Sequence, residues 1–281
     1  HFDSDIVKLI VTAFMFLGGV NFTLLWFIRE GQFKKATQDE EFNNYLVYIF
    51  TSFLFISIAL LATRDYSTKD TLIDSLFQVV SIGTSTGFST ADYMQWPVVT
   101  QFLIFVLMIV GASAGSTAGG LKLLRINLAF KFAMRELVRI AQPRKVETIR
   151  MNSQVVGSHQ LGLIIGMLIV WIGLFAISSF ALAIIMPDSN FESILSVVAS
   201  SLGNTGPALG DYGPTETWAN MNSMSLILTS ILMWFGRLEL LTAVILLHPH
   251  TWKSESRDQT NRSALSRLRR MMSREPIEES K

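Results

Sequence analysis

The sequence predicts an all-α, multi-pass membrane protein built from tandem repeats of span, half-span, Gly-rich turn and span. Three observations predict it. Residues 9–28, 42–63, 93–121 and 160–187 contain no Asp, Glu, Lys or Arg, and a helix needs about 20 mostly apolar residues to cross the hydrocarbon core. Charged residues make up 16% of the chain, well below the roughly 25% of an average soluble domain. Two short apolar segments run directly into Gly-rich turns that no helix would continue through.

The elements follow in order. Residues 6–28 read as a first span, and 29–42 as a polar linker in which Gly31 and Gln32 break the apolar run. A span over 43–63 leads through a charged stretch, 64–70, to a half-span at 71–83, too short to cross a bilayer. The turn 84–90 follows, then an apolar segment from 94 that is interrupted by Gly111-Ala112-Ser113-Ala114-Gly115-Ser116-Thr117-Ala118-Gly119-Gly120 and resumes to 135. A basic segment reaches 150. The pattern then recurs as a span at 160–187, a half-span at 190–202, a turn at 203–210, a span at 221–248 and a charged tail, 249–281.

This is an internal repeat. Gly87 and Gly206 lie 119 positions apart, and at that offset Leu76, Val79, Ser81 and Thr86 meet Leu195, Val198, Ser200 and Thr205. Repeats in membrane proteins often place a site at their interface.

Charge sets the topology. Residues 122–150 carry eight Lys/Arg and two Asp/Glu, and the tail from 249 carries eight and five. Residues 64–92 carry two Lys/Arg and four Asp/Glu, and residues 186–220 none and four. The first pair is expected inside and the second outside, because basic loops stay cytoplasmic. Both half-spans then enter from outside and return there, beneath an acidic mouth that concentrates cations.

Non-helical backbone at membrane depth is tolerated only inside protein or along a water-filled path. A half-helix entering from outside points its partially negative C-terminal end at the membrane centre, which favours a cation. The turn beyond it can aim successive carbonyls at a dehydrated cation, with Gly87 and Gly206 supplying backbone freedom. Thr86 and Thr205 are expected to add hydroxyl oxygens or to brace the turn. An ordinary surface loop of Gly, Ser and Thr is the plain alternative.

Thr84-Ser85-Thr86-Gly87-Phe88 and Gly203-Asn204-Thr205-Gly206-Pro207 resemble the third and fourth filter segments of the Trk/Ktr/HKT potassium transporter superfamily, most of all its TrkH-like branch. The resemblance covers residues 1 to about 252. It implies helix–pore-helix–helix repeats around a pore, with re-entrant filter loops and one broken helix. On that reading 1–28 is the last helix of a preceding repeat, 29–42 a cytoplasmic linker, 43–150 the third repeat and 151–248 the fourth. The transported ion is K+, held at Ser85, Thr86, Asn204 and Thr205, with no organic cofactor. Asn204 and Pro207 depart from the family's T-x-G-aromatic core. Implied partners are two earlier repeats of a longer chain, a second copy in a homodimer, a cytoplasmic ring of nucleotide-binding regulatory subunits and membrane lipid, in a bacterial inner membrane. The opening His1-Phe2-Asp3, without Met or a basic leader, fits an expected upstream continuation, since two filter segments cannot surround an ion.

The stretch 111–120 has four Gly, three Ala, two Ser and one Thr. Glycines cost a helix about 1 kcal/mol each against Ala, so a break is expected. The spacing of Gly111, Gly115 and Gly119 also fits close helix packing. By resemblance the stretch is an intramembrane gate loop, and Arg237, in Gly236-Arg237-Leu238-Glu239, faces the pore and bonds the loop's carbonyls. An intramembrane arginine needs a cavity or a partner.

Several classes are disfavoured. The chain has no cysteine, which removes thiolate metal sites and cysteine catalysis. A net charge of +1 offers no nucleic-acid footprint. Gly111-Ala112-Ser113-Ala114-Gly115 formally matches G-x-S-x-G, but a hydrolase needs it on a strand-to-helix turn with a histidine partner. His1, His159, His248 and His250 all lie near termini or span ends, and no enzyme is expected. A cation-coupled secondary transporter with a broken-helix solute site is the remaining alternative. Lys122, Arg125, Lys131, Arg135 and Arg139, and tail residues Arg262, Arg267, Arg269, Arg270 and Arg274, fit positive-inside anchoring to anionic lipid.

Overall fold

The computed structural model describes residues 4–63, 67–142, 144 and 148–237. The charged tail, Glu239, His248, His250 and the expected end of the last span lie outside the described residues. The described chain contains ten α-helices and one small antiparallel hairpin, Arg150–Met151 with Gln154–Val155.

The first stretch corrects an expectation. Residues 6–28 are not one continuous span: α1 (Asp5–Gly18) and α2 (Phe22–Arg29) meet at 106°. Two features mark the break. Gly19 sits against the Tyr45 hydroxyl and the Thr84 methyl, where a Cβ would not fit. Asn21 then starts a new helix, its Oδ1 accepting the Thr23 N–H at 2.9 Å, the usual N-cap bond. After the short α3 (Phe33–Thr37), α4 (Glu40–Thr63) and later α8 (Ser158–Ile185) are each long and apolar enough to cross a membrane. Both turn large apolar side chains outward, Phe50 and Ile58 on α4, Ile177 and Phe180 on α8. Hydrocarbon on that face leaves nothing to be gained by burying them.

The two half-spans are α5 (Thr68–Gly83) and α9 (Phe191–Gly203). At 1.5 Å per residue they rise only about 24 and 20 Å, short of the ~30 Å core. They are nonetheless the most buried helices. Ser75, Gln78 and Ser81 on α5, and Ser193, Ser196, Ser200 and Ser201 on α9, have no solvent exposure. Their small polar side chains let neighbours approach closely and keep hydrogen-bonding capacity inside. Helix α5 packs against α1 and α4, whereas α9 packs against α6 (Val98–Val110), α8 and α10 (Ser223–Arg237).

Helix α6 starts after Pro97 and stops at Gly111. The chain resumes as α7 (Leu123–Ala141) only after twelve non-helical residues, in which Gly111, Gly115 and Gly120 take φ of 66°, 67° and 74°. That conformation suits glycine. The core has two larger apolar clusters, one around Tyr45, Phe77, Ile82 and Leu107, the other around Trp171, Val198, Leu202 and Leu232, and a small third around Leu128, Ile149 and Leu161. Ile109 and Phe175 pack against both larger clusters.

Candidate functional site: two matched turns and the loop beside them

Each half-span ends in the same way. Ser85 and Asn204, equivalent across the 119-residue offset, have φ of 54° and 53°. Gly87 and Gly206 follow at 81° and 103°. The Thr86 N–H donates to Ser81 O at 2.9 Å and the Thr205 N–H to Ser200 O at 3.0 Å. The Ser85 N–H donates to Ile82 O at 3.0 Å and the Asn204 N–H to Ser201 O at 3.3 Å. Every one of these partners is again 119 positions from its counterpart. A non-glycine residue in the left-handed region is uncommon, so a matched pair is two copies of one built device.

The device consumes N–H groups and spares carbonyls. Among the described residues, no hydrogen bond is made to the carbonyl oxygens of Thr84, Ser85, Thr86 and Gly87, nor to those of Gly203, Asn204, Thr205 and Gly206. Four consecutive spare carbonyls in each turn, from buried Thr84, Gly203 and Thr205 to exposed Thr86 and Gly206, form an oxygen-rich lining suited to a cation. The Phe88 carbonyl is not available, because it accepts from Ser81 Oγ at 2.5 Å. The two turns meet: a Cβ on Gly87 would run into the Thr205 carbonyl oxygen.

The threonines behave differently. Thr86 Oγ1 pairs with Thr84 Oγ1 at 2.8 Å, bracing its turn. Thr205 is 1% exposed and, among the described residues, its hydroxyl has no hydrogen-bond partner. The Asn204 side chain does not line the turn; its Nδ2 donates to Met233 O on α10 at 2.9 Å.

Outside the turns the two repeats interlock. Tyr93, fully buried, donates through its hydroxyl to Ala208 O at 3.0 Å. Burial, with the Asp92 charge adding to it, pushes the Tyr93 phenol pKa up, so the O–H stays a donor. Gln78 Nε2 holds the segment after the turn through Ser89 Oγ at 2.8 Å and Ala91 O at 3.2 Å. Asp74 accepts from Thr90 Oγ1 at 2.9 Å, while Ser193, its counterpart, donates to Asp211 Oδ2 at 3.0 Å. The sequence carried a signal for this region: Ala91-Asp92-Tyr93 and Gly210-Asp211-Tyr212 repeat at the same offset.

The 111–120 loop lies against the inner side of both turns. The Gly119 N–H faces Ser85 Oγ at 3.3 Å, and a Cβ on Gly119 would strike the Gly203 carbonyl. Arg237 Nη1 donates to Thr117 O at 2.5 Å. Lys122, 4% exposed, donates to Ala118 O. Gly111 packs on the Gly119 carbonyl, and the Leu123 N–H closes on Ala112 O at 3.0 Å. Gly120 closes on Ile109 O. Ser116 Oγ donates to Ser113 O at 2.6 Å. Ser113 is 1% exposed and lies between two helices rather than on a strand-to-helix turn, so the G-x-S-x-G match has no nucleophile geometry.

Comparison with known proteins agrees with this geometry. A family model described as TrkH, cation transport protein, matches residues 43–254. Trk system potassium uptake protein TrkH from Halomonas elongata is 32% identical over 256 residues, covering 90% of this chain and 52% of that protein. TrkH of Escherichia coli K12 is 32% identical over 255 residues with the same coverage. The crystal structure of the potassium transporter TrkH from Vibrio parahaemolyticus superposes with a TM-score of 0.83 at 32% identity, covering 90% of this chain and 54% of that one. The chain thus spans about half the length of the relatives it matches. It belongs to the TrkH cation transport protein family.

Proposed function

We propose that this chain supplies two of the filter segments, and the gate, of a potassium uptake pathway in a bacterial inner membrane. The observation that carries the reading is the pair of matched turns, each leaving four consecutive carbonyls without a hydrogen-bond partner. Such oxygens replace a hydration shell at little reorganisation cost. The relatives' names, potassium uptake protein, support K+ as the ion. Ser85, Thr86, Asn204 and Thr205 would hold it through main-chain oxygens, and the unpartnered Thr205 hydroxyl adds one acceptor.

In this reading residues 111–120 obstruct the path beneath the turns, and Arg237, bonded to the Thr117 carbonyl, holds the obstruction and repels cations. Two turns provide half of a fourfold cage, so two earlier repeats, as the relatives' length suggests, complete it. A homodimer and a cytoplasmic nucleotide-binding ring belong to the same proposal.

The test is ion flux through the full-length protein in lipid vesicles with K+, Rb+ and Na+. K+ and Rb+ are expected to pass faster than Na+, and Gly87→Ala is expected to abolish the preference. Saturable uptake of an organic solute without ion current would support the secondary-transporter alternative instead.

A further inference from the structure

Glu41 is buried, at 6% exposed, beside a helix start that does not need it. The N-terminus of α4 is already capped by Asp39, whose Oδ1 accepts the Phe42 N–H at 2.8 Å. The neighbouring Glu40 turns outward to Lys131 at 2.7 Å. Glu41 turns inward, and its Oε1 accepts the N–H of Ala114, in the middle of the 111–120 loop, at 2.5 Å. Asn21 and Lys122 lie near the same carboxyl group.

This bond belongs to a set. The Ser113 N–H donates to Gly19 O at 3.2 Å, and the Thr117 N–H to Gly18 O at 3.1 Å. Thr117 Oγ1 reaches the same Gly18 oxygen at 2.9 Å. The Phe22 N–H returns to Gly115 O at 3.1 Å. Gly115 itself rests on the Asn21 side chain. The break between α1 and α2 thus exposes main-chain groups that a continuous helix would have used internally, and the loop takes them. One broken helix satisfies another.

We infer that Glu41 is a positioning residue for the gate, fastening the Ser113–Gly115 side of the loop to the α1–α2 break so that the Thr117–Gly119 side lies beneath the turns. The inference rests on the proposal that the loop is the gate. Without the carboxylate, the half-buried Ala114 N–H loses its partner in the obstructing position, which disfavours that position.

The experiment uses the full-length protein in vesicles of bacterial lipid. Glu41→Ala is expected to raise basal K+ flux about ten-fold, the loss of one hydrogen bond to a main-chain N–H that is left without a partner. Glu41→Gln, which keeps an acceptor oxygen, is expected to raise it less. A second readout follows the loop itself: this chain has no cysteine, so Ser116→Cys gives a single label site here. Its modification by a water-soluble thiol reagent is expected to quicken with Glu41→Ala and to return toward the parent rate with Glu41→Gln. Asn21→Ala takes the place of Glu41→Ala if that variant does not fold, with the same expected direction. Parent vesicles that pass no K+ would overturn the proposed function. Parent vesicles that pass it, with flux and labelling unmoved by these variants, would overturn only the assignment of Glu41.

Discussion

Asn204 and Met233 tie the fourth turn to the helix that carries Arg237: Asn204 Nδ2 donates to the Met233 carbonyl at 2.9 Å, one helical turn ahead of the arginine. Asn204 also holds φ at 53°, which Asn tolerates better than most residues. Replacement by Ala removes the brace and strains the backbone, at about 1–2 kcal/mol for the strain alone. Asn204→Gly removes only the brace. Thermal unfolding of the purified protein is expected to rank the parent above Asn204→Gly and Asn204→Gly above Asn204→Ala.

Gly87 and Gly206 are not equally sensitive. Both have positive φ, so Ala strains either position. Only at Gly87 would a Cβ also meet the Thr205 carbonyl; at Gly206 the nearest heavy atom is the Gly87 Cα at 3.9 Å. Gly87→Ala is expected to eliminate K+ preference over Na+, and Gly206→Ala to weaken it. Flux ratios in vesicles read the difference, and equal losses would contradict the steric account.

Arg237→Ala removes the bond to the Thr117 carbonyl and a positive charge from the path. Hydrogen bonds from charged donors contribute about 1.5–3 kcal/mol, so basal flux is expected to rise ten-fold or more by that arithmetic. Arg237→Lys keeps the charge but loses the planar fork, and its flux is expected to lie between. A fall in flux with Arg237→Ala would show that the arginine supports conduction rather than obstructing it.

Tyr93→Phe keeps the buried ring and deletes the hydroxyl that bridges to Ala208 O. Leaving that carbonyl unpaired is expected to cost about 1–3 kcal/mol, read as a lower unfolding midpoint. Because the bridge joins the segments that follow the two turns, K+ over Na+ preference is expected to fall as well.

The periodic parts of the fold were legible because apolar length is a coarse signal: α4 and α8 coincide with the runs that contain no central charge. The turns were legible because a duplicated Gly at a fixed offset cannot be explained by helix propensity. The α1–α2 break was not. Its glycines sit inside an apolar run, and the reason for the break is tertiary, the approach of Tyr45 and Thr84 to Gly19. Glu41 was equally silent in sequence, since an acidic residue at the start of a helix ordinarily answers to the helix dipole. The tie of the Asn204 side chain to Met233 on α10 was not legible in the sequence. Arg237 was legible from its cost in a membrane, and the Thr117 carbonyl is the partner that cost demanded.

Besides Ser85 and Arg237, the loop between α6 and α7 is anchored by Gly18, Gly19, Phe22 and Glu41, four residues that lie upstream of the segment, 43–254, that matches the family model. Sequence similarity and mechanical independence therefore have different boundaries. A fragment cut at residue 43 would retain both turns, yet its 111–120 loop would have to find water for the partners it lost. The smallest piece that keeps the loop's main-chain bonds begins upstream of the family match, with the kinked helices α1 and α2.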